Sequence, residues 1–259
     1  NSDWETEGND RADFNLPANQ NKLIEAILET NQNTVVVINT GSPIHMPWEK
    51  NAKAIIQTWF AGQEFGNALV DILSGKVNPS GKLPTTFPVK IEDTPAYKNY
   101  PGNDLQMNYD EKLLVGYRWY EAKSIRPLFC FGHGLSFTNF NYQNLEVTTD
   151  SDFVVTCNFE IQNIGDISGL EIAQCYVSFA SPLPGEPCKT LQGFVKEEID
   201  ANELKKVEIK LGPRNFSYWS VETNTWQIRE GSYQILIGSS SENILLQASI
   251  NLEQALEVH

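Results

Sequence analysis

Two glutamates one residue apart, behind a tryptophan and ahead of a glycine, are the residues best suited to do chemistry in this chain: Trp4-Glu5-Thr6-Glu7-Gly8-Asn9-Asp10-Arg11. A glycine next to a glutamate gives the backbone conformations that other residues resist, so the acid can be aimed from a loop. A tryptophan close by offers a flat apolar face to a sugar ring. A second carboxylate or an apolar wall raises the pKa of a carboxyl group and suits it to general acid-base work. Glu7, beside the glycine, and Glu5 are the candidate acids, and Trp4 suits packing as well as a substrate-binding wall. Asp10 and Arg11 are suited to a bidentate pair that would fix the loop. Read alone, the stretch is far more often a solvated acidic loop.

Other chemical candidates are weaker. Asp110-Glu111 is a second acid pair with nothing but its charge behind it. Gly62 and Gly66 precede a helical pattern and would suit a phosphate cradle, but no Gly-x-Gly-x-x-Gly and no Lys-Ser/Thr follows, so a tight strand-to-helix turn is the better reading. His45 and His133 have no partners at metal-ligand spacing and read as structural. Cys130, Cys157, Cys175 and Cys188 are widely spaced without Cys-x-x-Cys, which argues against zinc. Cys157 and Cys175 lie in apolar strand-like runs, as small buried hydrophobes do. The sequon Asn215-Phe216-Ser217 overlaps an aromatic run and reads as chance. No metal or cofactor is called for.

The elements that must hold these residues fall into two regimes. Early on, Leu23, Ile24, Ile27 and Leu28 recur at the spacing of one helix face, after Pro17 and before the stop Asn31-Gln32-Asn33. Thr34 to Asn39 is a β-branched run apolar on both faces, as in a buried parallel strand, and ends in the turn Thr40-Gly41-Ser42-Pro43. Ala54 to Trp59 is a second strand, followed by a helix bearing Phe65, Ala68, Leu69, Ile72 and Leu73, with Gly75 placed to cap it. This is part of an open α/β sheet. Prolines then break the pattern as far as Pro101. The aromatics of Val115-Gly116-Tyr117-Arg118-Trp119-Tyr120 must pack against something. From Phe137 the period becomes two, over Val155–Gln162, Ile172–Val177, Val207–Leu211 and Ser232–Ile237, as in a β-sandwich. The tail from Glu253 to His259 reads as frayed. The expected units are 1–92 (part of an α/β sandwich), 93–139 (a linker packing across the domains) and 140–253 (the β-sandwich).

A formal net charge of −14 over 259 residues argues against nucleic acid or an anionic membrane surface as partner, because both need clustered Lys and Arg. It is compatible with a neutral substrate. No apolar run approaches the ~20 residues of a membrane span. The chain lacks an initial Met and opens in the middle of a motif, so we read it as a fragment and take nothing about compartment from its start.

Three ordered stretches resemble glycoside hydrolase family 3, the β-glucosidase-like enzymes. Glu5-Thr6-Glu7-Gly8-Asn9-Asp10-Arg11 is similar to the family's acid/base loop, with Asn9 where an aromatic is usual. Gly62 to Gly75, with Asn78-Pro79-Ser80-Gly81-Lys82-Leu83-Pro84, is similar to its longest signature. Val115–Tyr120 and Phe131-Gly132-His133-Gly134-Leu135-Ser136-Phe137-Thr138 resemble the passage into a fibronectin type III-like domain. The resemblance implies an α/β sandwich followed by that domain, with a missing N-terminal (β/α) barrel supplying the catalytic aspartate. It implies a retaining β-glucosidase acting on a β-glucoside or oligosaccharide, with Glu7 as acid/base; such enzymes place two carboxyl groups about 5–5.5 Å apart. The fragment alone would be inactive. A β-xylosidase of the same family, or a non-catalytic module binding sugar or a partner, are the alternatives.

Overall fold

The structure, a computed structural model, describes residues 7–8, 11, 13–104 and 106–258. Its first part is built on helix α1 (Gln20–Thr30), strands β1 (Val35–Ile38) and β2 (Ala54–Gln57), and helix α2 (Phe65–Leu73). β1 and β2 pair in parallel, Val35 opposite Ala54 and Ile38 opposite Gln57. Asn31 ends α1 in an extended conformation, its amide bonded to Ile27 O and its side chain accepting from Asn33 N, so the polar run stops the helix by capping its own turn. Gly62 and Gly75 bracket α2 with φ of +72° and +74°, a region that costs glycine little.

One apolar cluster unites Leu16, Leu28, Val36, Ile38, Ile44, Met46, Trp48 and Phe87. A fully buried side chain of this size contributes about 1.5–3 kcal/mol. Trp48 is buried because its indole N–H finds Asn21 Oδ1 at 2.9 Å. The expectation for β1 holds on one face only. Val36 and Ile38 are buried, whereas Val35 is exposed, and so are Leu23 and Ile27 of α1. α2 has no buried residue although its sequence is apolar. A parallel sheet ordinarily has both faces covered, and among the described residues this one is covered on one.

The proline-rich segment is tied down at its ends. Phe87 and Phe129 form an antiparallel bridge, and Leu83 exchanges backbone bonds with Gly132 and His133. The aromatics of 115–120 find their cover as helix α3 (Tyr117–Ala122). Tyr120 is buried, and Tyr117 stacks on Phe131 and meets Tyr176 edge-on.

The second part is a sandwich of antiparallel sheets. One sheet runs β3 (Phe140–Thr149), β4 (Val155–Asn163), β7 (Leu204–Leu211). The other runs β11 (Ile244–Leu252), β10 (Gly231–Gly238), β5 (Gly169–Phe179), β6 (Thr190–Ile199). Their inward residues, among them Val155, Cys157, Phe159, Ile161, Ala173, Cys175, Ile235 and Ile237, form the larger core. A small sheet of β8 (Tyr218–Ser220), β9 (Thr225–Ile228) and β12 (Leu256–Val258) closes one end. The tail is therefore not frayed through Val258. β12 pairs with β9 from Leu256–Ile228 to Val258–Trp226, and Val258 packs on the sandwich core. The sequon asparagine is already engaged. Asn215 accepts from Gly212 N and donates to Gln192 O.

Candidate active site

Glu7 and Gly8 form an exposed turn, so the acid stands in solvent on a loop, as the glycine implied. The loop is fixed through Arg11, whose Nη2 donates to Pro43 O at 3.1 Å. Pro43 belongs to the turn that follows β1. Two residues on, the attachment continues. His45 N bonds Phe14 O at 2.7 Å, His45 Nδ1 lies 3.2 Å from Asn15 Oδ1, and the Phe14 and His45 rings stack. Leu16 then enters the core. The acid loop is thus stitched to the segment leaving the carboxyl end of β1, the edge of an open α/β sheet where ligands bind. Trp4, Glu5 and Asp10 lie outside the described residues, and with them the Trp4 wall and the Asp10–Arg11 pair.

The same edge carries the carboxyl end of β2. Thr58 bonds Ile38 O through both its amide and its hydroxyl, at 2.9 and 2.8 Å. Gln57 Nε2 donates to Thr40 O at 3.0 Å, while its buried Oε1 has no partner among the described atoms. Trp59 takes a positive φ of +53°, uncommon for so bulky a residue. Its ring meets Phe87 edge-on and packs on the core, and Phe60 is turned outward with 82% of its surface exposed. The Phe60 ring lies over Gly41, where a Cβ would come within 2.7 Å of Cζ.

The remaining candidates separate from this edge. Asp110 accepts from Asn99 Nδ2 on an exposed loop. His133 stacks on Phe129, and burial, helped by the nearby Lys82 charge, holds its imidazole below the ordinary pKa. Gly62 and Gly66 have open space around them, with nothing within 4 Å of a Cβ placed at either. Among the described residues no group of three or more His, Cys, Asp or Glu could hold a metal ion, and no helix is long and apolar enough to cross a membrane. A groove of about 620 Å³ between α1 and residues 47–53 is lined by Glu25, Glu29, Lys50 and Lys53. It opens at the amino ends of β1 and β2, away from Glu7.

Contacts that the sequence does not show bind the two parts together. Lys82 Nζ lies 3.3 Å from Glu171 Oε2 and the same distance from Gly134 O, with both charged side chains nearly buried. Tyr142 O–H donates to Glu171 Oε1 at 2.8 Å; burial first, then that carboxylate, push the phenol's pKa far up. Asn78 Oδ1 accepts from Ser136 Oγ and Phe137 N, and its Nδ2 donates to Ser168 O. Gly134 is pressed against Gly81 O, where a Cβ would come within 2.1 Å. Gln174 of β5 donates to Gly132 O and Ser239 O. Lys189 pairs with Glu121, and Tyr117 O–H receives Leu191 N. The Asn78–Lys82 and Gly132–Thr138 stretches are a clasp on β5, remote in kind from sugar chemistry.

An open α/β sheet with an acidic loop at its carboxyl edge is thus clasped to an antiparallel sandwich. The description "Glycosyl hydrolase family 3 C-terminal domain" matches residues 1–137, and "Fibronectin type III-like domain" matches residues 171–241. The chain belongs to glycosyl hydrolase family 3. It is 41% identical over 259 residues to the thermostable beta-glucosidase B of Acetivibrio thermocellus, covering 99% of this chain and 34% of that protein. It is 40% identical over 265 residues to beta-glucosidase B of Emericella nidulans, covering 97% of this chain and 31% of that protein. Among solved structures, a beta-glucosidase from Kluyveromyces marxianus superposes with a TM-score of 0.95 at 37% identity, over 99% of this chain and 31% of that one. Beta-glucosidase 3B from Thermotoga neapolitana, solved with alpha-D-glucose, does so with a TM-score of 0.90 at 31% identity, over 97% and 37%. The chain spans about a third of the length of these relatives.

Proposed function

We propose that this chain is the carboxy-terminal part of a β-glucosidase that hydrolyses terminal non-reducing β-D-glucosyl residues with retention, and that Glu7 is its general acid/base. The observation that carries this is the placement of Glu7: a carboxylate on a glycine turn, anchored by Arg11 to the carboxyl edge of the β1–β2 sheet. Its relatives' names support the substrate class. In this reading an aspartate of an upstream barrel attacks the anomeric carbon while Glu7 protonates the departing oxygen. Glu7, now a carboxylate, then takes a proton from water as that water attacks the same carbon and displaces the aspartate, and both carboxyl groups return to their starting states. Trp4 is proposed as a wall of the site. The units 1–92, 93–139 and 140–253 are carried forward as the domain division; limited proteolysis should cut between Thr85 and Asn108 before it cuts within 154–250.

The test uses the complete enzyme carrying this chain. A poor leaving group needs its proton in the transition state, and an activated aryl group does not. Glu7→Ala should therefore slow a natural disaccharide far more than an activated aryl glucoside. With the aryl substrate, glycosyl-enzyme should accumulate, and azide should restore turnover as a β-glycosyl azide. Glu5→Ala should show neither effect. Rescue of Glu5→Ala in place of Glu7→Ala would move the role to Glu5. Rescue of neither would remove this loop from the catalytic site and leave a non-catalytic module. Comparing aryl glucoside with aryl xyloside on the unsubstituted enzyme decides between glucosidase and xylosidase.

A further inference from the structure

We propose that Phe60 is a specificity-determining residue of this site, an apolar platform for the leaving-group side of the substrate. The inference rests on the glucosidase reading of the preceding section. Phe60 is the most exposed phenylalanine among the described residues, with 82% of its surface open to solvent. Its exposure is built in. Trp59, at a positive φ, packs on the core while the adjacent Phe60 points outward. A strained backbone at a bulky residue persists only where the surroundings hold it. Here Thr58 is held by two bonds to Ile38 O, and Gln57 by its bond to Thr40.

The ring is also placed relative to the acid loop. One of its faces rests on Gly41, which leaves no room for a side chain there. Gly41 belongs to the same short turn as Pro43, whose carbonyl binds Arg11. Glu7 precedes Arg11 by four residues, a span of at most about 14 Å of extended chain. Ring and acid therefore share one support. A general acid acts on the oxygen that joins the sugar to its leaving group, so a flat apolar face next to the acid loop meets the leaving group and not the reacting glucose. The ligand class is an aryl or second-sugar leaving group that presents a flat C–H or π face.

The experiment compares methyl β-glucoside, whose leaving group is too small to stack, with an aryl β-glucoside and a disaccharide, all on the complete enzyme. Phe60→Ala should lower kcat/KM for the two large substrates about tenfold, the scale of one lost aromatic contact, mainly through KM. The value for methyl β-glucoside should change less than about twofold on the same scale. Phe60→Trp should retain the large-substrate rates. Gly41→Ala, which displaces the ring without removing it, should reproduce the selective loss. Equal loss on all three substrates would overturn the proposal and make Phe60 a packing residue of the acid loop or of a domain contact. No loss on any would overturn it outright. Inactivity of the unsubstituted enzyme toward all three would instead strike the glucosidase reading, and this proposal with it.

Discussion

Replacing Lys82 by methionine keeps the length of the side chain and removes its charge. Lys82 and Glu171 are each nearly buried, and the carboxylate would then keep only the Tyr142 hydroxyl as a partner. Removing one member of a buried pair typically costs ~3–5 kcal/mol, because the other charge is left in a poorly solvated place. In a chain of this size each kcal/mol shifts Tm by roughly 2–4 °C, so Lys82→Met should lower Tm by roughly 6 °C or more. Glu171→Gln should cost less, since the amide oxygen still receives Tyr142 and the lysine keeps Gly134 O. The diagnostic protein is the double variant. Lys82→Met with Glu171→Gln should be more stable than Lys82→Met alone, because the stranded charge is gone. Thermal unfolding of all four proteins by circular dichroism gives the coupling directly. The reasoning fails if the double variant is no better than Lys82→Met, or if Lys82→Met costs under about 1 kcal/mol, the behaviour of a solvated surface pair.

Three further outcomes are expected. Gly132→Ala should destabilise the chain by about 2 kcal/mol or more, since φ is +79° and a Cβ would meet Gln174 Oε1 at 2.2 Å, whereas Gly81→Ala, with nothing within 4 Å, should be nearly neutral; urea titration of both measures the contrast. His133 has a folded-state pKa below its unfolded value, so the unfolded chain binds the extra proton first. Its contribution is complete above the unfolded value of about 6.5 and is lost as pH falls below it, and Tm of the native chain should drop more from pH 7.5 to 5 than that of His133→Gln. The 259-residue chain by itself should release no measurable aryl alcohol from an aryl β-glucoside, because loss of one catalytic partner costs several orders of magnitude in rate; ordinary turnover would show that it carries a nucleophile of its own.

Local pattern carried much of the architecture. Helix spacing found α1 and α2, the β-branched run found β1, and the change to a period of two fell close to Phe140, where β3 begins. These signals are short-range, because each element's periodicity follows from its own burial. The clasp had no such signal. Lys82, Glu171 and Tyr142 are brought together only by the packing of two domains, and a lysine after a glycine reads as a surface residue in any window. β12 was hidden by its length, three residues in a polar tail. The exposed turn at Glu7 and Gly8 was legible from the glycine. Its anchoring was not, since the bond from Arg11 to Pro43 joins a side chain to a carbonyl of another turn. Phe60 lies just beyond the strand read over Ala54 to Trp59, and the positive φ at Trp59 has no signal in the sequence.

β5 has consequences for anyone who would exchange parts between related enzymes. Ala173, Cys175 and Val177 look into the sandwich, while Gln174 and Tyr176 are sealed from the other side by Gly132, Ser239 and Tyr117. A strand with no wet side cannot serve as a cut surface. A graft of 140–253 alone would bare a tyrosine, a glutamine and a glutamate that nothing on the new host is shaped to receive. The transferable cassette is the sandwich together with the stretch from Asn78 to Thr138, and a chimera joined upstream of Asn78 should remain soluble where one joined at Phe140 precipitates.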